Sequence, residues 1–332
     1  MRIVMLGHTG VGKTTYMASL YGAMQQSVEG FSLRAADSED HKRLKNLADG
    51  IRRGEYPVAT DQRQAYKFYL RYQGRNILEF AWADYRGGAL RETQESGQAQ
   101  ALLKDLKSTD GLMLFFDSNA LAAKDHRSNQ IRRMTTLTTQ ALKELERPIS
   151  LAIVLTKTDL VSDFELTLLE SLNGLIAAVN VSKTVLGAII PISCGKELCN
   201  VSMPLMFALH AAVIWQAALA STTAEKHQNL AKSYEDRGRG VGGAINWIVS
   251  KVNEESTFRE MAAKERLAAA TKLREFDLIR EPAESLYYYV RKLPLIKPDL
   301  SLNDYTDLLE KAREGLLKHQ LKQQDPFLMF EE

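Results

Sequence analysis

The chain has 332 residues, room for roughly two domains at about 150 residues each. Charged residues make up 25% and hydrophobic ones 45%, the proportions of a globular rather than a disordered chain. Lys plus Arg is 43 against 41 Asp plus Glu, and a net charge of +2 argues against a protein devoted to neutralising nucleic-acid phosphate or an anionic membrane.

The predicted elements start at once. Arg2–Leu6 is a short apolar run that leads into a glycine loop, without the apolar core or cleavage site expected of a signal peptide. Lys13 to Gln26 has helical periodicity through Tyr16, Leu20 and Met24. Phe31–Ala36 reads as a short edge strand, and Glu39 to Arg53 as a helix with Leu44, Leu47 and Ile51 on one face; Arg52 and Arg53 are expected at its solvated end. Gln64–Tyr72 and Asn76–Ala83 flank the turn signal Gln73-Gly74-Arg75 and predict an antiparallel hairpin. Apolar runs recur at Gly111–Phe116, Ile149–Leu155 and Val185–Ile192 between helical patterns, which implies a parallel sheet covered by helices on both faces.

Leu205 to Ala220 is broken by His210 and Gln216 and reads as a buried helix, so no membrane span is expected. Beyond Ala220 the strand signals stop. Gly238–Gly243 is the candidate hinge, and the remainder reads as helical, with Leu286, Tyr289, Val290 and Leu293 at i, i+3, i+4 and i+7. Ser301 followed by Asp304 starts a last helix carrying Leu302, Tyr305, Leu309, Ala312 and Leu316. Helices that long agree with a count of only 8 prolines. Trp247 and Tyr287–Tyr289 are either a recognition surface or core, with helical spacing favouring core. The apolar tip Phe327–Phe330 either docks on a partner or folds back. Cys194 and Cys199 have no partners at zinc spacing and are expected to be reduced thiols in the cytoplasm.

Two segments carry chemistry. Gly7-His8-Thr9-Gly10-Val11-Gly12-Lys13-Thr14 satisfies G-x-x-x-x-G-K-[ST] between a strand and a helix. In that setting, backbone N–H groups and the helix N-terminus can cradle phosphate; Lys13 reaches the outer phosphates and Thr14 ligates Mg²⁺. Thr156-Lys157-Thr158-Asp159 follows a strand, and a carboxylate there can accept two hydrogen bonds from guanine, whereas adenine would leave it unpaired. Asp117, after another strand, either faces the nucleotide or caps the strand end.

Together with Thr60, Asp84-Tyr85-Arg86-Gly87 and Ser193-Cys194-Gly195-Lys196, these segments stand in the order found in Ras-like P-loop GTPases of the translation-factor-related class. The resemblance covers about residues 1–220. Gly54–Thr60 and the doubled glycine Gly87-Gly88 look more like bacterial double-GTPase-type proteins than like Ras itself. The resemblance implies a mostly parallel sheet with one antiparallel strand and helices on both faces, here with an insertion around 29–53. An all-helical region follows from 221 to 332.

It also implies roles. Gly10, Val11, Gly12, Lys13, Thr14 and Thr15 would hold the phosphates, and Thr156, Lys157, Asp159, Ser193, Cys194 and Gly195 the guanine. Thr14, Thr60 and Asp84 would serve Mg²⁺, and Lys13, Thr60, Gly87 and Arg86 the γ-phosphate. Gly88 stands where hydrolytic relatives carry the glutamine that orients water. Slow GTP hydrolysis is therefore expected, with the missing group supplied in cis by Arg86, Arg91 or Glu92, or in trans by a GAP-like partner or a second copy. The expected function is a GTP/GDP switch acting on a protein effector; the alternative is a GTP-dependent assembly protein without efficient turnover. Asp159 weakens a third reading, an ATPase.

Overall fold

The computed structural model describes residues 1–57, 64–84, 102, 104–143, 145, 147–162, 166–195, 197–237, 239 and 257–312. Seven strands form one sheet: β1 (Arg2–Leu6), β2 (Phe31–Ala35), β3 (Gln64–Tyr72), β4 (Arg75–Asp84), β5 (Gly111–Asp117), β6 (Ile149–Thr156) and β7 (Val185–Pro191). Their order is β2-β3-β4-β1-β5-β6-β7. Only β3 runs against the others, because it pairs antiparallel with β2 and β4 while β4, β1, β5, β6 and β7 pair in parallel. The carboxyl ends of β1, β4, β5 and β6 therefore lie side by side.

The strand bounds match the sequence pattern to within two residues, since β1, β5 and β6 are buried almost throughout and read as continuous apolar runs. Helix α1 (Lys13–Ala23) follows β1, and α2 (Ser38–Arg52) lies within the expected insertion. Asp37 caps α2 by accepting the N–H groups of Glu39 and Asp40, which also pull its carboxyl below the usual range. At the end of α2, Arg52 pairs with Asp49 and Arg53 with Glu55, all exposed.

Both sheet edges are blunted. The Leu33 N–H donates to the Met24 carbonyl, and the Gln25 amide donates to the Leu33 carbonyl, closing the outer side of β2. At the other edge the chain returns: the Ile189 N–H donates to Pro294 O, and the Ile296 N–H to Gly187 O. One sheet face is aromatic around Tyr16, Phe68, Phe80, Trp82 and Phe115. The buried Tyr16 hydroxyl accepts the Leu205 N–H at 3.1 Å and so anchors a long helix beginning at Met203.

The chain divides into two compact units, Met1–Ala212 with Ser285–Glu332, and Val213–Glu284. This differs from a cut at residue 220. The helix Met203–Arg237 runs unbroken through that position. Leu286, Val290, Leu293, Ile296, Tyr305 and Leu309, moreover, are core residues of the first unit. Ser301 and Asp304 make the expected reciprocal cap, Ser301 N–H to Asp304 Oδ2 at 2.7 Å and Asp304 N–H to Ser301 Oγ at 3.3 Å. The candidate hinge, except Arg239, and Trp247, Leu316 and Phe327–Phe330 lie outside the described residues. Tyr289 is buried as expected, whereas Tyr287 and Tyr288 are exposed.

The Met203–Arg237 helix is long and apolar enough to cross a membrane, but 67% of its most apolar stretch is buried inside the protein. Residues Leu205–Leu209 are fully covered.

Among its described residues the second unit holds two antiparallel helices, α3 (Met203–Arg237, from Val213) and α4 (Phe258–Val290, to Glu284). His227 meets Glu265 at 2.5 Å, Arg266 meets Glu235 at 2.5 Å, and Tyr234 stacks on Phe258. These cross-links set a register that brings the buried Ala224 level with Ala269, and Ala231 level with Ala262.

Candidate nucleotide site

The loop from Gly7 to Gly12 turns from β1 into α1 using positive φ at Gly10 (86°) and Gly12 (94°), a region that any side chain would strain. Gly12 caps α1 without a side-chain hydrogen bond, and no acidic residue sits in the first turn to oppose an incoming anion. Lys13 is only 8% exposed, and its ammonium donates to Gly7 O at 2.8 Å and His8 O at 3.2 Å. The cation is thus held over the concave side of the loop, next to backbone that can cradle phosphate. Val11 is buried, and Thr14 and Thr15 follow Lys13 in the first turn of α1.

The loop is tied to the next part of the site by one side chain. Thr156, at the end of β6 and 3% exposed, has its Oγ1 2.7 Å from Val11 O and 3.1 Å from Phe116 O. Its hydroxyl therefore braces the phosphate loop against β5 and β6. Lys157 then takes φ 56°, a left-handed turn that starts a short 3₁₀ helix, Thr158–Leu160, and leaves Asp159 exposed.

A second loop comes to the same place. The Thr158 N–H donates to Ile192 O at 3.3 Å, joining the turn to the small hairpin of β8 (Ser193–Cys194) and β9 (Leu198–Cys199). Ser193 closes the hairpin by donating to Glu197 O, and Ser19 of α1 donates to Cys194 O at 3.2 Å. A Cβ built on Gly195 would lie 3.8 Å from Asp159 Oδ2 and 3.3 Å from the Tyr56 hydroxyl. Burial, and then the Asp159 carboxylate, push the Cys194 thiol far above its ordinary range, so it stays protonated. Carboxylate, glycine backbone and loop carbonyl thus converge at one end of the site, with the phosphate loop at the other.

Asp84 closes β4 beside Met5 of β1, at the sheet end from which the phosphate loop departs. Among the expected metal donors, the Thr14 hydroxyl is a hard oxygen ligand suited to Mg²⁺, and the Asp84 side chain lies outside what the structure describes. Thr60, Arg86, Gly87, Gly88, Arg91, Glu92 and Lys196 lie outside the described residues.

A family model described as Double-GTPase 2 matches residues 2–186, which span β1 to the start of β7. The chain belongs to the Double-GTPase 2 family. As a member it is a P-loop GTP-binding protein, and its phosphate loop and Asp159 turn both fall inside the matched segment. No curated protein matches. Among solved structures, a GTP-binding protein from the hyperthermophilic archaeon Sulfolobus solfataricus, in complex with GDP, is similar at 18% identity and a TM-score of 0.32. The match covers 61% of this chain and 49% of that one, so it spans about half of that protein's length.

Some residues of this Double-GTPase 2 site were not singled out by their sequence. Ser19 is one mid-helix serine among many polar residues. Tyr56 stood only as part of a segment, yet it is 59% exposed and its hydroxyl lies 3.3 Å from where a Cβ on Gly195 would stand. Asp117 was legible as a strand-end carboxylate, and it does cap the following helix by accepting the Ala120 N–H. It also pairs with Lys157 at 2.5 Å, a contact that only the β5–β6 pairing could have revealed.

Proposed function

We propose that this protein is a GTP/GDP switch that hydrolyses GTP slowly in a Mg²⁺-dependent reaction and signals to a protein partner. The observation that carries the reading is the convergence of Asp159, the Cys194–Gly195 backbone and a phosphate loop braced by Thr156. The base end supports guanine: Asp159 accepts from N1–H and the exocyclic amine, while backbone at Gly195 excludes a bulky side chain from the base edge.

At the phosphate end, the Gly10–Thr15 backbone orients the phosphate chain and Lys13 neutralises its outer charge. Thr14, with Asp84 acting through water and Thr60 in the triphosphate state, would hold Mg²⁺; the ion neutralises the β- and γ-oxygens when bound. Gly88 has no side chain to orient water, which supports slow turnover and a need for a group from Arg86, Arg91, Glu92, a GAP-like partner or a second copy. The same glycine favours the second reading, a GTP-dependent assembly protein that holds nucleotide without efficient turnover.

Phosphate release with GTP and with ATP, measured across a protein dilution series, tests the proposal. The expected result is release from GTP alone, slow when dilute. Specific activity rising with concentration assigns the missing group to a second copy. Equal release from ATP would overturn the guanine reading. GTP retained with no phosphate at any concentration, even with candidate partners, favours the assembly reading.

A further inference from the structure

The Lys157 side chain is not free to wander at the base site. Its ammonium meets Asp117 Oδ2 at 2.5 Å, across the parallel pairing that places Asp117 beside Thr156. Asp117 is itself held at three points. Its Oδ1 accepts the Ala120 N–H at 3.2 Å, its backbone N–H donates to Asn129 Oδ1 at 2.7 Å, and its carbonyl accepts from Asn129 Nδ2 at 3.1 Å. Asn129 is fully buried, so this two-bond grip on the Asp117 backbone is dry and stiff. The two carboxylate oxygens of Asp117 are used differently, one to cap a helix and the other to hold a lysine.

We propose that Asp117, fixed by Asn129, is a positioning residue that sets Lys157 in the orientation in which its stem lines the base pocket. The inference rests on the guanine-binding reading above and deepens it. A strand-end carboxylate becomes part of base recognition although it touches no base. A long amine on a left-handed turn would otherwise sample many rotamers, and each bound nucleotide would have to order it anew.

The test is dissociation of a fluorescent GDP analogue from the full chain. Asp117→Asn keeps an excellent helix cap but removes the charge that holds Lys157, so stability and positioning separate. The expected result is dissociation about tenfold faster, the scale of one charge-assisted hydrogen bond. Thermal unfolding should shift by less than about 2 °C because the cap is retained. In a Lys157→Met background the same substitution should change the rate by less than about twofold, since its target is gone.

If Asp117→Asn unfolds, Asp117→Ser supplies the cap from a smaller side chain and takes its place. An Asp117 variant that releases GDP within twofold of wild type overturns the proposal, as does equal acceleration with and without Lys157. A wild-type protein that retains no GDP overturns the guanine reading itself and this proposal with it.

Discussion

The nucleotide-binding unit and the helical pair Val213–Glu284 are packed from different materials. In the first, helices cover a sheet, and the gap between layers is filled by Tyr16, Phe68, Trp82, Phe115 and a broad aliphatic cluster. In the second, the side chains buried along the two described helices are small, Ala224 and Ala231 on one and Ala262 and Ala269 on the other, with the His227–Glu265 hydrogen bond and the Arg266–Glu235 ion pair linking the helices. A layered core is deep enough to hold polar side chains in one rotamer, which is why Thr156, Lys13 and Asn129 are buried yet hydrogen-bonded. An alanine seam has no such depth; it sets how closely two helices approach and leaves Leu219, Leu230, Leu267 and Leu278 exposed. Site chemistry therefore belongs to the first unit, and changes in the second should alter stability without altering nucleotide binding.

The largest expected effect tests the first half of that contrast. Asp159→Asn should shift preference from guanosine to xanthosine triphosphate by roughly a thousandfold, because a site built to accept two hydrogen bonds rejects the mismatched edge strongly. Competition for a fluorescent nucleotide measures it, and unchanged guanine selectivity would remove Asp159 from the base site. Thermal unfolding should not move, since Asp159 is exposed.

Next in size is an acid effect inside the layered unit. His210 is 6% exposed, neither ring nitrogen meets a hydrogen-bond partner among the described residues, and the ring stacks at 6.4 Å on Tyr287. Burial lowers its pKa to about 4, so the unfolded chain binds a proton that the folded chain does not. Stability is intact above pH 6.5 and falls as pH drops from 6.5 toward 4, by about 3 kcal/mol at most. His210→Leu should flatten that part of a denaturant-unfolding pH profile, and an unchanged profile would assign the acid loss elsewhere.

The alanine seam gives the third effect. Ala224→Leu forces the helices apart and should cost about 2 kcal/mol of helical-pair stability, followed by thermal unfolding, while leaving GDP dissociation unchanged. An altered GDP off-rate would show that the two units are not separable in this way. The smallest effect belongs to the margin: Arg266→Ala breaks a largely exposed pair with Glu235 and should cost less than about 1 kcal/mol.

How much of this was legible depended on how local each signal was. The phosphate loop, the Asp159 turn and the hairpin about Gly74 are short runs whose neighbours in sequence are also neighbours in space, so pattern and turn chemistry reported them well. The unbroken helix through residue 220 was less legible. Loss of strand signal looks like a domain boundary, whereas nothing in a helical period says which part of the helix touches which core. Asp117 shows the same limit at the site. Its place at a strand end was readable; its pair with Lys157 spans forty residues and was not.

By itself the sequence determined the strand–loop–helix cradle, the candidate guanine carboxylate and the helical character of the C-terminal third, because these follow from backbone freedom at glycine and from periodicity. Only the tertiary structure decided which distant residues share a wall. It placed Ser285 onward with the first unit through the Ile189–Pro294 and Ile296–Gly187 hydrogen bonds, and it paired a strand-end aspartate with Lys157, forty residues further along. The physical reason is common to both: strand order in a sheet is settled by which edges and faces find partners, and that information is spread over the whole chain.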